Sequence, residues 1–160
     1  MAIQIGDHLP NISIKQVTPS GTQDTNTESL FKGKTVALFG IPGAFTPVCT
    51  TVHLPGFSQK IDQFKTKGVS VMCLSVNDPF VMEAWGNQAN SHPDITLLAD
   101  WNAEFTKSVG LTLDGSGAGL GLRSLRYSML VKDGIVTALN VEPSPGQCEL
   151  SSADALLKSL

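Results

Sequence analysis

Apolar and polar positions fall into blocks along this chain, and the period changes from block to block. Ile12 to Val17 (ISIKQV) alternates with a period of two and predicts a half-exposed strand. Thr18-Pro19-Ser20-Gly21 is a turn and Thr22 to Asn26 a short return strand, so the front end predicts a β-hairpin. Phe31-Lys32-Gly33-Lys34 is a second turn. Thr35 to Ile41 (TVALFGI) and Val69 to Val76 (VSVMCLSV) are near-continuous apolar runs, as strands buried on both faces require. Between them, Leu54, Phe57, Ile61 and Phe64 recur at steps of three, four and three, one face of a helix. Pro55 interrupts that pattern and predicts a kink near residues 51–54. Asp78-Pro79 opens another helix, with Phe80, Val81, Ala84 and Trp85 expected inward. Ile95 to Leu98 predicts a strand and Ala103 to Val109 a short helix. Tyr127 to Val131 and Val136 to Val141 read as strands joined at Lys132-Asp133-Gly134. Ser151-Ser152-Ala153-Asp154 resembles a capping box ahead of a closing helix. This order predicts an α/β layer fold around a central mixed sheet.

Composition narrows the classes. At 160 residues, the chain is expected to form one domain, 1–160. With 41% hydrophobic and 16% charged residues it suits a packed globule and not a disordered chain. Its net charge is −3 with no basic run, which gives no electrostatic case for nucleic acid or an anionic membrane. No apolar stretch approaches the ~20 residues of a membrane span. Met1 to Pro10 has neither a basic nor an apolar signal region, so no signal peptide is expected. Three cysteines suit reduced thiols and a cytoplasmic setting.

Candidate chemistry gathers at Pro42-Gly43-Ala44-Phe45-Thr46-Pro47-Val48-Cys49, where a buried strand gives way to a helix. Thr46 suits the N-cap, its hydroxyl accepting from an orphan N–H, and Pro47 suits the first helical position. Cys49 then lies in the first turn, at the positive end of the helix dipole. Thiols in such places ionise at roughly pH 3.5–7.5, and the thiolate is the nucleophile. A buried, inert cysteine is the competing reading. His53 stands four residues on and is a candidate base for a cysteine hydrolase or transferase. The pair also falls short of a metal site, and none is expected. Gly115 to Gly121 (GSGAGLG) follows no strong strand and precedes no clear helix, so it reads as a mobile loop and no cofactor is expected.

Four blocks in order carry a resemblance: the Pro42–Cys49 stretch, His53-Leu54-Pro55-Gly56-Phe57, Ser75-Val76-Asn77-Asp78-Pro79-Phe80, and Gly121-Leu122-Arg123-Ser124-Leu125-Arg126-Tyr127. Together they resemble the type II peroxiredoxins, thioredoxin-fold thiol peroxidases that include the atypical two-cysteine fifth mammalian isoform. The resemblance implies that Cys49 is the peroxidatic thiolate, with Arg126 over it, Thr46 bonding sulfur or substrate, and Pro42 shielding the site. Residue types alone do not choose between Arg126 and Arg123, and Arg126 could equally be an ion-pair partner. The resemblance also makes Cys148 the resolving cysteine, reduced afterwards by thioredoxin. Plant members of the group place a resolver in the strand that here holds Cys73, which otherwise reads as a core residue. One-cysteine chemistry with glutathione or glutaredoxin is the third route. Homodimers are common in the family, with Phe45 and Phe80 as candidate contacts. Outside the resemblance, the hydrolase and a non-catalytic redox-sensing module remain the alternatives.

Overall fold

The computed structural model describes residues 1–160. Its strands are β1 (Ser13–Thr18), β2 (Gly21–Asn26), β3 (Thr35–Ile41), β4 (Val69–Ser75), β5 (Ile95–Ala99), β6 (Thr112–Asp114), β7 (Leu122–Ser124), β8 (Tyr127–Lys132) and β9 (Ile135–Val141). Its helices are α1 (Thr27–Phe31), α2 (Leu54–Gln59), α3 (Ile61–Thr66), α4 (Pro79–Gln88), α5 (Glu104–Ser108) and α6 (Ala153–Leu157). Seven strands form one mixed sheet in the order β2-β1-β5-β4-β3-β8-β9. β3, β4 and β5 run parallel at its centre, and antiparallel pairs close both sides.

The sheet centre follows directly from the apolar runs. In β3 the alternate residues Ala37, Phe39 and Ile41 join one core, while Val36 and Leu38 join the other. Both faces are therefore buried, as a run without polar interruptions demands. The first core packs Leu54, Phe57, Ile61, Phe64, Met82, Trp85 and Leu156 from the helices on that side. The second is closed by the N-terminal segment, α1 and α5, through Ile3, Phe31 and Phe105. Gly40 has no alternative within β3, because a methyl there would lie 2.2 Å from the ring of buried Tyr127.

The hairpin β1–β2, the strand pair β8–β9 and the closing helix stand where the pattern put them. Other expectations need correction. Of the α4 residues expected inward, Trp85 is buried and Val81 packs partly buried against the first core, but Phe80 is 77% exposed and Ala84 is exposed; Met82 and Gly86 are buried in their place. The phase is set by close approach: a methyl on Gly86 would stand 2.5 Å from Leu97 Cδ1, so the helix meets the sheet at a glycine. The kink expected from Pro55 is a π turn, Cys49–His53, closed by the Leu54 N–H donating to the Cys49 carbonyl. Proline at 55 has no N–H to return to residue 51, and the wider turn absorbs the missing bond. The glycine-rich stretch is no loose loop either. It is the tip of the β6–β7 hairpin, held by Gly115 N–H to the Gly121 carbonyl and Leu120 N–H to the Gly115 carbonyl.

Candidate active site

β3 ends at Ile41, and the chain turns through buried Pro42 and Gly43 before the helix begins at Pro47. Asn77, just past β4, ties this turn down: its side-chain oxygen accepts from the Ala44 N–H at 3.0 Å and from the Ser75 hydroxyl at 2.5 Å. Phe45 adopts a φ of 66°, a conformation costly for a residue with a side chain, and it is 47% exposed. Thr46 occupies the position before Pro47, and its carbonyl accepts from the Thr50 N–H at 3.1 Å. Its hydroxyl does not cap the helix as expected. It donates backward to the Gly43 carbonyl at 2.6 Å, closing the strained turn. The first-turn N–H groups of Val48 and Cys49 thus meet no acceptor within the protein.

Cys49 lies in that first turn and is fully buried. Arg126, which follows β7 and precedes β8, reaches it: Arg126 Nη2 donates to Cys49 Sγ at 3.1 Å. Arg126 is only 2% exposed, and its guanidinium is held on every side. Nε and Nη2 donate to the Pro145 carbonyl at 3.1 and 3.0 Å, and Nη1 donates to His53 Nδ1 at 3.0 Å. Arg123 does not compete. Its Nε donates to the Leu120 carbonyl at 2.9 Å, and its Nη1 stands against Gly43.

His53 is not a base for Cys49. Arginine only donates and a carbonyl only accepts, so Nδ1 is the acceptor and Nε2–H donates to the Ser151 carbonyl at 3.0 Å. Burial, and then the Arg126 charge, lower its pKa to about 3, against the Ser151 bond that raises it. The imidazole is neutral, its acceptor nitrogen is spent on Arg126, and the hydrolase arrangement fails on geometry. Nothing in the local sequence around His53 announces this partnership, because its partners lie 73 and 98 positions away.

The other two thiols occupy contrasting places. Cys73 sits in the middle of β4 with no exposure. Burial pushes its thiol well above the ordinary range, the nearby Cys49 adds to this, and Arg126 opposes it. Cys148 lies outside any element and is half-buried. It borders a cavity of about 180 Å³ with Val52 and His53 from the Cys49 turn. Burial raises its thiol too, offset in part by the Ser151 hydroxyl. No cluster of side chains suited to a metal ion is present.

A thiol under a fixed guanidinium, on a sheet of this order, defines a thiol-reactive redox enzyme of the thioredoxin-like class. Residues 4–157 match the Redoxin family. The chain is 45% identical to peroxiredoxin-2B of Arabidopsis thaliana, over 99% of this chain and 98% of that one. It is 44% identical to the chloroplastic peroxiredoxin-2E of the same plant, over 99% of this chain and 70% of the other. Reduced Prx3 of Vibrio vulnificus in complex with H₂O₂ superposes with a TM-score of 0.91 at 47% identity, covering 98% of each chain. The chain belongs to the peroxiredoxins, in their type II group. It is a thiol-dependent peroxidase: a peroxide is reduced and a thiol reductant is consumed.

Proposed function

We propose that Cys49 is the peroxidatic residue and that Arg126, Thr46 and Pro42 complete its site. The Cys49 thiolate attacks one oxygen of ROOH. The O–O bond breaks, the leaving RO⁻ takes up a proton as ROH, and sulfur is left as a sulfenic acid. Arg126 holds the thiolate and offers its N–H groups to the oxygen on which charge develops. The free Val48 and Cys49 N–H groups point the helix dipole the same way. Thr46 gives its proton to Gly43, so its oxygen lone pairs remain to accept a peroxide O–H. Pro42 shields the sulfur from bulk water. Full burial of Cys49 favours small peroxides, hydrogen peroxide and short alkyl hydroperoxides.

Cys148 is the resolver in this reading. Its thiol condenses with the Cys49 sulfenic acid, forming a disulfide and releasing water, and a dithiol protein such as thioredoxin reopens the bridge. Cys148 can move with its loop, whereas Cys73 can move only by parting β4 from both neighbours. The full burial of Cys49 requires local opening before the two sulfurs can join. Reduction by glutathione or glutaredoxin, acting directly on the sulfenic acid, is the alternative route.

One sheet carries both the first hairpin and the last strand, which supports a single domain over 1–160. Exposed Phe45 and Phe80 support a homodimer joined at the loops around the site. Sedimentation of Phe80→Glu checks this, a monomer being expected. No helix is long and apolar enough to cross a membrane. A cytoplasmic setting is proposed on the strength of three unbridged cysteines.

The observation that carries the reading is the 3.1 Å bond from Arg126 to Cys49 Sγ. Its test is the second-order rate of Cys49 oxidation by hydrogen peroxide. Cys49→Ser is expected to consume no peroxide, and Arg126→Ala to react at least about a hundredfold slower than the parent. An Arg126→Ala rate equal to the parent's removes the guanidinium from the mechanism.

A further inference from the structure

Every partner that fixes Arg126, apart from Cys49 itself, belongs to or rests on the segment after β9. The Pro145 carbonyl takes two of its bonds directly. The Ser151 carbonyl orients His53, which takes the third. Yet residues 143–147 are exposed, and no apolar side chain among them anchors the segment to a core. A turn bonded from the Gln147 N–H to the Ser144 carbonyl shapes its tip, and α6 anchors its far end through Ala153 and Leu156; one carboxylate closes it between them. Glu142 is 4% exposed, and its Oε2 accepts from the Glu149 N–H at 2.9 Å, the Ser151 N–H at 2.7 Å and the Ser151 hydroxyl at 2.6 Å. Its own N–H donates to the Arg126 carbonyl at 2.9 Å, so the latch springs from the residue it serves.

We infer that Glu142 is a positioning residue for the peroxide step, closing the 143–151 segment into the arrangement in which the Pro145 and Ser151 carbonyls aim Arg126 at Cys49. Glu142 touches neither sulfur nor substrate; it acts through two carbonyls and one imidazole. The three donors converge on a single oxygen, so an amide in its place presents N–H groups to N–H groups in one of its two orientations and a weaker acceptor in the other. The inference rests on the role given to Arg126 above.

The test uses the full chain in a Cys148→Ser background, so that only Cys49 oxidation is timed. Glu142→Gln is expected to slow oxidation by hydrogen peroxide about tenfold. It is also expected to speed hydrogen exchange at the Glu149 and Ser151 amides. Glu142→Asp, which keeps the carboxylate, is expected to recover part of the rate, a rescue that a merely space-filling residue would not show. Should Glu142→Gln fail to fold, Ser151→Ala removes one donor and leaves the backbone intact; an oxidation rate about threefold lower is then expected. A Glu142→Gln rate within about twofold of the parent, or for the fallback an unchanged Ser151→Ala rate, overturns the inference when Arg126→Ala is slow. If Arg126→Ala is fast as well, the role of Arg126 itself has failed.

Discussion

The two cysteines other than Cys49 sit in regions held together by different physics. Cys73 is embedded in the β3–β4–β5 centre, where apolar side chains fill both faces and strand ladders run on both sides. Cys148 rides on a segment with hardly any apolar anchorage, gathered by one carboxylate and by carbonyls that Arg126 also uses. Packing energy makes the first region a scaffold that local fluctuations leave intact. Directional bonds make the second a part that can let go as a unit when its few contacts break. The proposed disulfide cycle draws its resolving thiol from the second region and not from the first.

The comparison can be broken at several points. Phe39 stacks on Phe57 at 4.1 Å in the rigid region, and Phe39→Ala is expected to cost about 3–5 kcal/mol in denaturant unfolding. Gln147→Ala, on the segment, is expected to stay within about 0.5 kcal/mol. Equal losses would mean that the segment is packed as tightly as the sheet. Next in size, Cys148→Ser is expected to lose about a hundredfold of thioredoxin-linked turnover while keeping one oxidation event, and Cys73→Ser to stay within about threefold. The reverse pattern would show that the scaffold, not the segment, supplies the resolving sulfur.

The smallest effect concerns acid. His53 joins the two regions, and its folded pKa of about 3 lies below the 6.5 of a free imidazole. Between those values the unfolded chain binds a proton that the folded chain refuses, so stability falls as pH drops through that window. Each unit between 6.5 and about 3 costs roughly 1.4 kcal/mol, and outside that window the group has no pH-dependent effect. His53→Phe is expected to flatten the difference in unfolding free energy between pH 7 and pH 5 relative to the parent. A variant as acid-sensitive as its parent would locate the proton uptake elsewhere.

Much of the scaffold is legible in the chain because long apolar runs admit few readings. β3 has the bounds that its seven residues imply, and the β8–β9 pair follows from two runs and a turn. Errors fell where short-range rules meet tertiary contact. The pattern places Val81 and Trp85 of α4 inward and misses Gly86, because a glycine carries no apolar signal, although close approach to Leu97 is what puts it there. α1 has no legible pattern, because five residues give too little periodicity, even with the Asn26 side chain accepting from the Ser29 N–H. Cys49 and its helix start were readable from Thr-Pro-x-Cys, a local signal. The choice of Arg126 over Arg123 needed the family pattern, since its partners are distributed across positions 49, 53 and 145. Glu142 left no trace, because a carboxylate folded over its own downstream segment looks in sequence like any surface acid.

The residue beside Cys49 has one more tie: the indole N–H of buried Trp85 donates to the Thr50 hydroxyl at 3.0 Å. Any unravelling of that first turn must deprive the indole of its partner. With the more exposed Trp101 replaced, the molecule carries its own optical gauge, and the emission of Trp85 should follow the turn opening and closing in real time without any attached dye.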